Sequence, residues 1–155
     1  MTAKLDPFAS EGELMRSWTR LSLQVSESLG SPLAELVEIR ASQLNGCANC
    51  LNMHTAAARA KGETEQRINL VSAWWDAPCY TEREQAALAW TDAMTRLSHH
   101  PEHDTAYARL KAHYSEAERV QLTLMINMIN GWNRIAVGFG IFMEDPTSVP
   151  ADAVA

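Results

Sequence analysis

Apolar residues recur at helical spacing along almost the whole of this 155-residue chain, and no stretch alternates apolar with polar over the length of a strand. That periodicity restricts the chain to an all-α fold. Leu14, Trp18, Leu21 and Val25 line one face of a helix predicted over Glu11 to Leu29, which Gly30 closes. Ser31 is the expected cap of a second helix, with Pro32 at its first position and Leu44 near its end. Asn45-Gly46 ends that helix, and a third starts at once around Cys47 and stops at Gly62. A fourth is predicted from Thr64 to Trp75.

Thr81-Glu82-Arg83-Glu84 and Ser115-Glu116-Ala117-Glu118 both fit the capping box, so they open a fifth and a last helix, with a shorter one from near Pro101 between them. The last helix carries Leu122, Met125, Ile126, Ile129, Trp132 and Phe139 and is apolar nearly all round, which suits the centre of a fold or a subunit interface. Asn127, Asn130 and Asn133 on it are expected to fix packing. The expected architecture is one helical bundle of six to seven helices over residues 1–145, with a loose tail over 146–155.

Charge narrows the partners. With 13 basic against 19 acidic residues the net charge is -6, which does not suit nucleic acid or an anionic membrane, since both need clustered cations. The longest apolar stretch, Ile135 to Met143, is about half of the roughly 20 residues needed to cross a bilayer. Met1 to Ser10 lacks the apolar run of an export signal, so a cytoplasmic location is expected, and there ordinary thiols stay reduced. Any disulfide among the three cysteines is then a working one.

Cys47, Cys50 and His54 fall on one helical stripe, because offsets of three and four return to nearly the same angle. The cysteines stand in the first turn of their helix, where free backbone N–H groups and the helix dipole favour a thiolate at Cys50. His54 is placed to accept or return a proton. A thiolate, a proton source and a second thiol are what peroxide reduction through a sulfenic acid requires. Two other readings of the pair stay open on spacing alone, a zinc site and two structural cysteines beside a core histidine. A closed zinc site needs four ligands, and no second pair follows at a suitable distance. Cys79 in its Pro-Cys-Tyr turn is expected to be an incidental thiol, and His99, His100 and His103 to be exposed histidines at a helix start.

The stretch from Glu35 through Asn45-Gly46-Cys47-Ala48-Asn49-Cys50 to His54 resembles the core motif of the alkylhydroperoxidase D-like, carboxymuconolactone decarboxylase superfamily. In that motif a glutamate stands twelve residues before the first cysteine and a histidine four after the second; Glu35, Cys47, Cys50 and His54 match it. The resemblance is strongest over about residues 31–62 and continues loosely through Trp74-Trp75 and Asn130-Gly131-Trp132-Asn133-Arg134. It implies an all-helical fold, assembly as a homo-trimer or homo-hexamer, and no flavin, haem or metal. It further implies that Cys50 attacks a hydroperoxide, that Cys47 closes the disulfide, and that Glu35 and His54 form a proton relay. An external dithiol, by resemblance a dihydrolipoyl protein, would reduce the disulfide.

Asn49 departs from alkylhydroperoxidase D, which has a second histidine between the cysteines; this bears on efficiency and reductant more than on the thiol chemistry. The decarboxylase branch does not depend on the pair. A disulfide reductase, a lactone decarboxylase and a non-catalytic redox sensor are the alternatives to a peroxidase. Periodicity does not choose between Glu35 and Glu38; only the resemblance selects Glu35, so Glu38 is expected to matter little. Antiparallel packing is expected to leave Glu35 some two to three turns from the hairpin corner, reaching the thiols only across a steep crossing or a water.

Overall fold

The computed structural model describes residues 3–30, 32–98 and 100–145. Its helices follow the apolar periodicity: α1 (Pro7–Ser10), α2 (Gly12–Leu29), α3 (Leu33–Asn45), α4 (Ala48–Ala60), α5 (Glu65–Leu70), α6 (Glu82–Thr95), α7 (His100–His113) and α8 (Glu116–Phe139). No strand occurs among the described residues. Ser31, His99 and the tail from residue 146 lie outside them. The one-turn α1 is an addition to the six or seven helices expected; Asp6 caps it by accepting the N–H groups of Phe8 and Ala9. Both capping boxes form as the sequence predicts, Thr81 with Glu84 and Ser115 with Glu118.

The fourth helix is shorter than its expected span. The α-helical part ends at Leu70 and a 3₁₀ turn, Val71–Ala73, follows. Trp74 is buried while Trp75 is exposed, with their rings edge to face at 5.9 Å. The tightened turn offers the Ser72 carbonyl to the guanidinium of Arg40 at 3.2 Å.

The most enclosed helix is α3. Leu36, Val37, Ile39 and Ala41 are fully buried, and it packs on α4, α6 and α8. The last helix, expected to be either the centre of the fold or part of a subunit interface, is not enclosed on all sides. One face of α8 is in the core through Leu122, Met125, Ile126 and Ile129, but Val120, Leu124 and Val137 on it are exposed.

Because α3 is enclosed, its polar side chains must find partners inside the protein. Arg40 binds Asp92 of α6 in a two-pronged ion pair at 2.5 and 2.7 Å, and Trp74 donates to the same carboxylate. Ser42 accepts from Asn133 of α8, and Asn45 donates to Asn130 and Asn133 at 2.8 Å each. Asn130 and Asn133 do fix helix packing, whereas Asn127 is exposed. These contacts clamp α3 between α6 and α8 and so fix the helix that leads into the cysteine pair.

Removing Asp92 would leave the Arg40 guanidinium buried without its counter-charge. Asp92→Ala is expected to lower the unfolding free energy by about 3–5 kcal/mol in urea titrations. A loss below about 1 kcal/mol would mark the pair as no stronger than a surface one.

Candidate active site

The site is organised by the two residues, Gly46 and Cys47, that join α3 to α4. Gly46 takes the left-handed conformation (φ 66°, ψ 32°). There the Cys47 N–H donates to the Ser42 carbonyl at 3.0 Å and the Gly46 N–H to that of Gln43 at 3.3 Å, closing α3 with a Schellman motif. Asn45-Gly46 ends α3 as expected, with Asn45 the last helical residue and Gly46 alone left-handed. Cys47 is extended and is itself the N-cap of α4: its sulfur accepts the Cys50 N–H at 3.3 Å. The helix start thus directs a donor at the Cys47 sulfur, where the sequence placed that benefit on Cys50.

Cys47 and Cys50 are joined as a disulfide, their Cα atoms 5.4 Å apart. Both are buried, Cys47 completely and Cys50 to 4% exposure, against Ala41, Ile129 and Ala136, with Trp132 and Ile141 alongside. Cys79 is a free, half-buried thiol, and its carbonyl accepts from Arg67. In the expected histidine cluster, His103 sets its ring nitrogen 3.0 Å from the Ala93 carbonyl.

With two residues between them, α3 and α4 must double back, and counting outward from Gly46 gives the register. Glu38 lies eight residues before it and His54 eight after, so the two face each other. Glu35, one turn further out, reaches between His54 and Lys61. The imidazole Nδ1 of His54 is 3.1 Å from Glu35 Oε2 and 3.2 Å from Glu38 Oε2. Lys61 Nζ donates to Glu35 Oε1 at 2.6 Å.

The difficulty foreseen for Glu35 disappears, because it touches the histidine and has no need to reach the sulfurs. The dismissal of Glu38 is corrected: it is as close to His54 as Glu35 is. Glu38 was legible from the equal counts about Gly46, and Lys61 from its offset of seven from His54, which keeps it on the same stripe.

Two carboxylates on one imidazole decide its charge. Burial alone would pull the His54 pKa down, but the charge of Glu38 and the hydrogen bonds and charge of Glu35 and Glu38 outweigh it and push it up to about 10. Burial likewise opposes ionisation of Glu35, yet the hydrogen bond and charge of His54, and then those of Lys61, hold it below the ordinary carboxylate range. His54 is therefore an imidazolium at neutral pH, poised to donate a proton rather than to accept one. Glu35, Glu38 and His54 are also the residues of this site that could hold a cation, their ligand atoms lying within 4.8 Å of one another, but Lys61 already supplies positive charge to Glu35.

This arrangement of cysteine pair, glutamate and histidine sits in a segment with known relatives. The model of the carboxymuconolactone decarboxylase family matches residues 12–93, more than half of the chain. The chain belongs to that family. An uncharacterized protein of Bacillus subtilis, YdfG, is 44% identical over 113 residues, which are 73% of this chain and 77% of that protein. A crystal structure from Agrobacterium tumefaciens, of a protein of unknown function suggested to be the antioxidant defence protein AhpD, superposes with a TM-score of 0.86 at 38% identity. It covers 93% of this chain and all of the other. This carboxymuconolactone decarboxylase family member thus has an alkylhydroperoxidase D-like, all-helical fold. Among the described residues no helix is long and apolar enough to cross a membrane.

The raised pKa of His54 links it to stability. Its contribution is complete below the ordinary value of 6.5 and is lost as pH rises through about 10. The unfolding free energy is therefore expected to fall over that window, and His54→Gln to flatten the fall. Ring signals of His54 in nuclear magnetic resonance should remain those of the imidazolium at neutral pH; titration of those signals near 6.5 would contradict the account.

Proposed function

We propose that the protein is a thiol-dependent peroxidase that reduces hydroperoxides through a Cys47–Cys50 disulfide cycle. The observation that carries this reading is the position of His54 one helical turn after Cys50 on α4, held as a cation by Glu35 and Glu38. Residues four apart on a helix are neighbours at about 5–6 Å between Cβ atoms. A cationic imidazole at that distance lowers a thiol pKa and favours the thiolate at Cys50.

The steps balance. The Cys50 thiolate attacks the outer oxygen of a hydroperoxide, the O–O bond breaks, and the departing alkoxide takes the proton of His54 to leave as an alcohol. The Cys47 thiol then attacks the Cys50 sulfenic acid, forming the disulfide and releasing water. An external dithiol returns two electrons and two protons: its thiolate attacks the Cys50 sulfur, the slightly exposed member of the pair, and Cys47 leaves. Departure of Cys47 is helped because its sulfur accepts the Cys50 N–H, and a stabilised thiolate leaves faster. The returned protons restore the Cys47 thiol and the His54 imidazolium.

The antioxidant role suggested for the Agrobacterium relative agrees with this chemistry. The cysteine pair favours it over the decarboxylation for which the family is named. The account includes a cytoplasmic location, a dihydrolipoyl protein as the reducing dithiol, and a homo-trimer or homo-hexamer. The exposed Leu14 and Leu21 of α2 and Val120, Leu124 and Val137 of α8 are the apolar surface that such an assembly would cover.

Peroxide consumption with a supplied dithiol tests the reading. Cys50→Ser should abolish turnover; Cys47→Ser should still form a trappable sulfenic acid at Cys50 without resolving it. His54→Gln should slow turnover by about 10²–10⁴, the usual worth of a positioned proton donor. Glu35→Gln and Glu38→Gln should both act in the same direction. Turnover that survives in Cys50→Ser would overturn the assignment, and wild-type protein that forms the disulfide without turning over peroxide would make the pair a redox switch.

A further inference from the structure

Cys47 is fully buried and Cys50 is only 4% exposed, although disulfide exchange requires the attacking sulfur to approach one of the pair directly. Most of what surrounds the pair is helix, in α3, α4 and α8, and is held by the ion pairs and amide bonds described above. The exception is the segment after α8. Gly140 ends that helix in the left-handed conformation (φ 67°, ψ 37°), and residues 141–143 turn back over the start of α4. Ile141 packs on the cysteine cluster. Met143 is held by two asparagines of α4: Asn49 Oδ1 accepts its N–H at 2.8 Å, and Asn52 Nδ2 donates to its carbonyl at 2.9 Å.

These two amides do for an irregular segment what a neighbouring strand would do, satisfying both polar groups of one peptide residue. Asn49 is itself buried, and its other contact is a long one to the Met53 sulfur at 3.5 Å. On the near side of Gly140, the Lys4 N–H donates to the Phe139 carbonyl at 2.8 Å and the Lys4 ammonium to that of Gly138, so the end of α8 is tied independently of the segment beyond it. The Ile141 N–H also closes the end of α8 on the Ala136 carbonyl at 2.9 Å, so it is Met143, held by the two asparagine side chains, that can lift without unwinding any helix.

The geometry points to Asn49 and Asn52 as positioning residues that latch residues 141–143 over the Cys47–Cys50 disulfide and so control access of the reducing dithiol. Asn49, the departure from the histidine of alkylhydroperoxidase D, thereby gains a role of its own: it holds a cover in place. The inference rests on the pair being the redox centre, but it does not require that peroxide be the oxidant.

The test uses dithiothreitol on the full-length oxidised protein. A dithiothreitol thiolate attacks one sulfur of the pair, the other leaves as thiolate, and the second thiol of the reagent closes its own ring, transferring two electrons. Asn49→Ala and Asn52→Ala should each raise the second-order rate constant of this reduction by roughly three- to ten-fold, the factor expected from losing one net hydrogen bond. Loss of a cover speeds reduction and reoxidation alike, so the midpoint in a dithiothreitol redox titration should not move. Amide hydrogen exchange should quicken over residues 141–145 and stay unchanged in α4. Asn52 is only partly buried, so its variant serves if Asn49→Ala fails to fold. An unchanged rate in a folded variant whose residues 141–145 exchange faster would overturn the proposal. So would a rate gain accompanied by a shifted midpoint or by lost protection in α4. Peroxide turnover plays no part in these measurements, so failure of the peroxidase reading would be seen separately.

Discussion

The connection between α3 and α4 is only two residues long, Gly46 and Cys47, and most of the site's geometry follows from that. A Schellman motif needs a residue that accepts positive φ, and Gly46 provides it without strain. Once α3 is stopped there, Cys47 has nowhere to go except to the N-cap of the next helix, and Cys50 follows in its first turn. The same reversal sets the register of the hairpin, which brings Glu38 opposite His54 and Glu35 between His54 and Lys61. A longer loop would loosen the cysteine pair and the charge cluster together, because both are read outward from the same corner.

The hairpin could not hold this register alone. Enclosing α3 commits a guanidinium, a carboxylate and a hydroxyl to the interior, and each is matched by a partner on another element: Arg40 with Asp92, Glu35 with His54 and Lys61, Ser42 with Asn133. Two of these pairs serve packing, and the third makes the charge that the chemistry uses. Crowding two carboxylates on one imidazole nitrogen is unfavourable for a neutral ring and favourable for a cation. The fold energy that retains Glu35 and Glu38 beside His54 is thus the same energy that keeps His54 protonated.

Much of this was legible in the sequence. The helices were visible in apolar spacing, both capping boxes in their four-residue signatures, and the corner in Asn45-Gly46. Cys47, Cys50 and His54 share a stripe that periodicity alone identifies. Glu35 required the family resemblance, because a single helix says nothing about which side its neighbour lies on. Glu38 was passed over for that reason, although the equal counts about Gly46 contain it. The short α5 was not legible, since its end is set by Arg40 claiming the Ser72 carbonyl across 32 positions of chain. The segment over the disulfide was hidden for a similar cause: Ile141 to Met143 reads as an apolar continuation of α8, and only the distant Asn49 and Asn52 give it a place.

The account stands on a cationic His54 that stabilises the Cys50 thiolate. Thiolate absorbance of the reduced protein in the ultraviolet, followed against pH in wild type and His54→Gln, addresses this directly. The predicted result is a thiolate that forms in wild type well below the ordinary cysteine value of about 8.5 and moves back toward it when the imidazolium is removed. A wild-type thiolate that forms near 8.5, or one whose titration is the same in His54→Gln, would contradict the account.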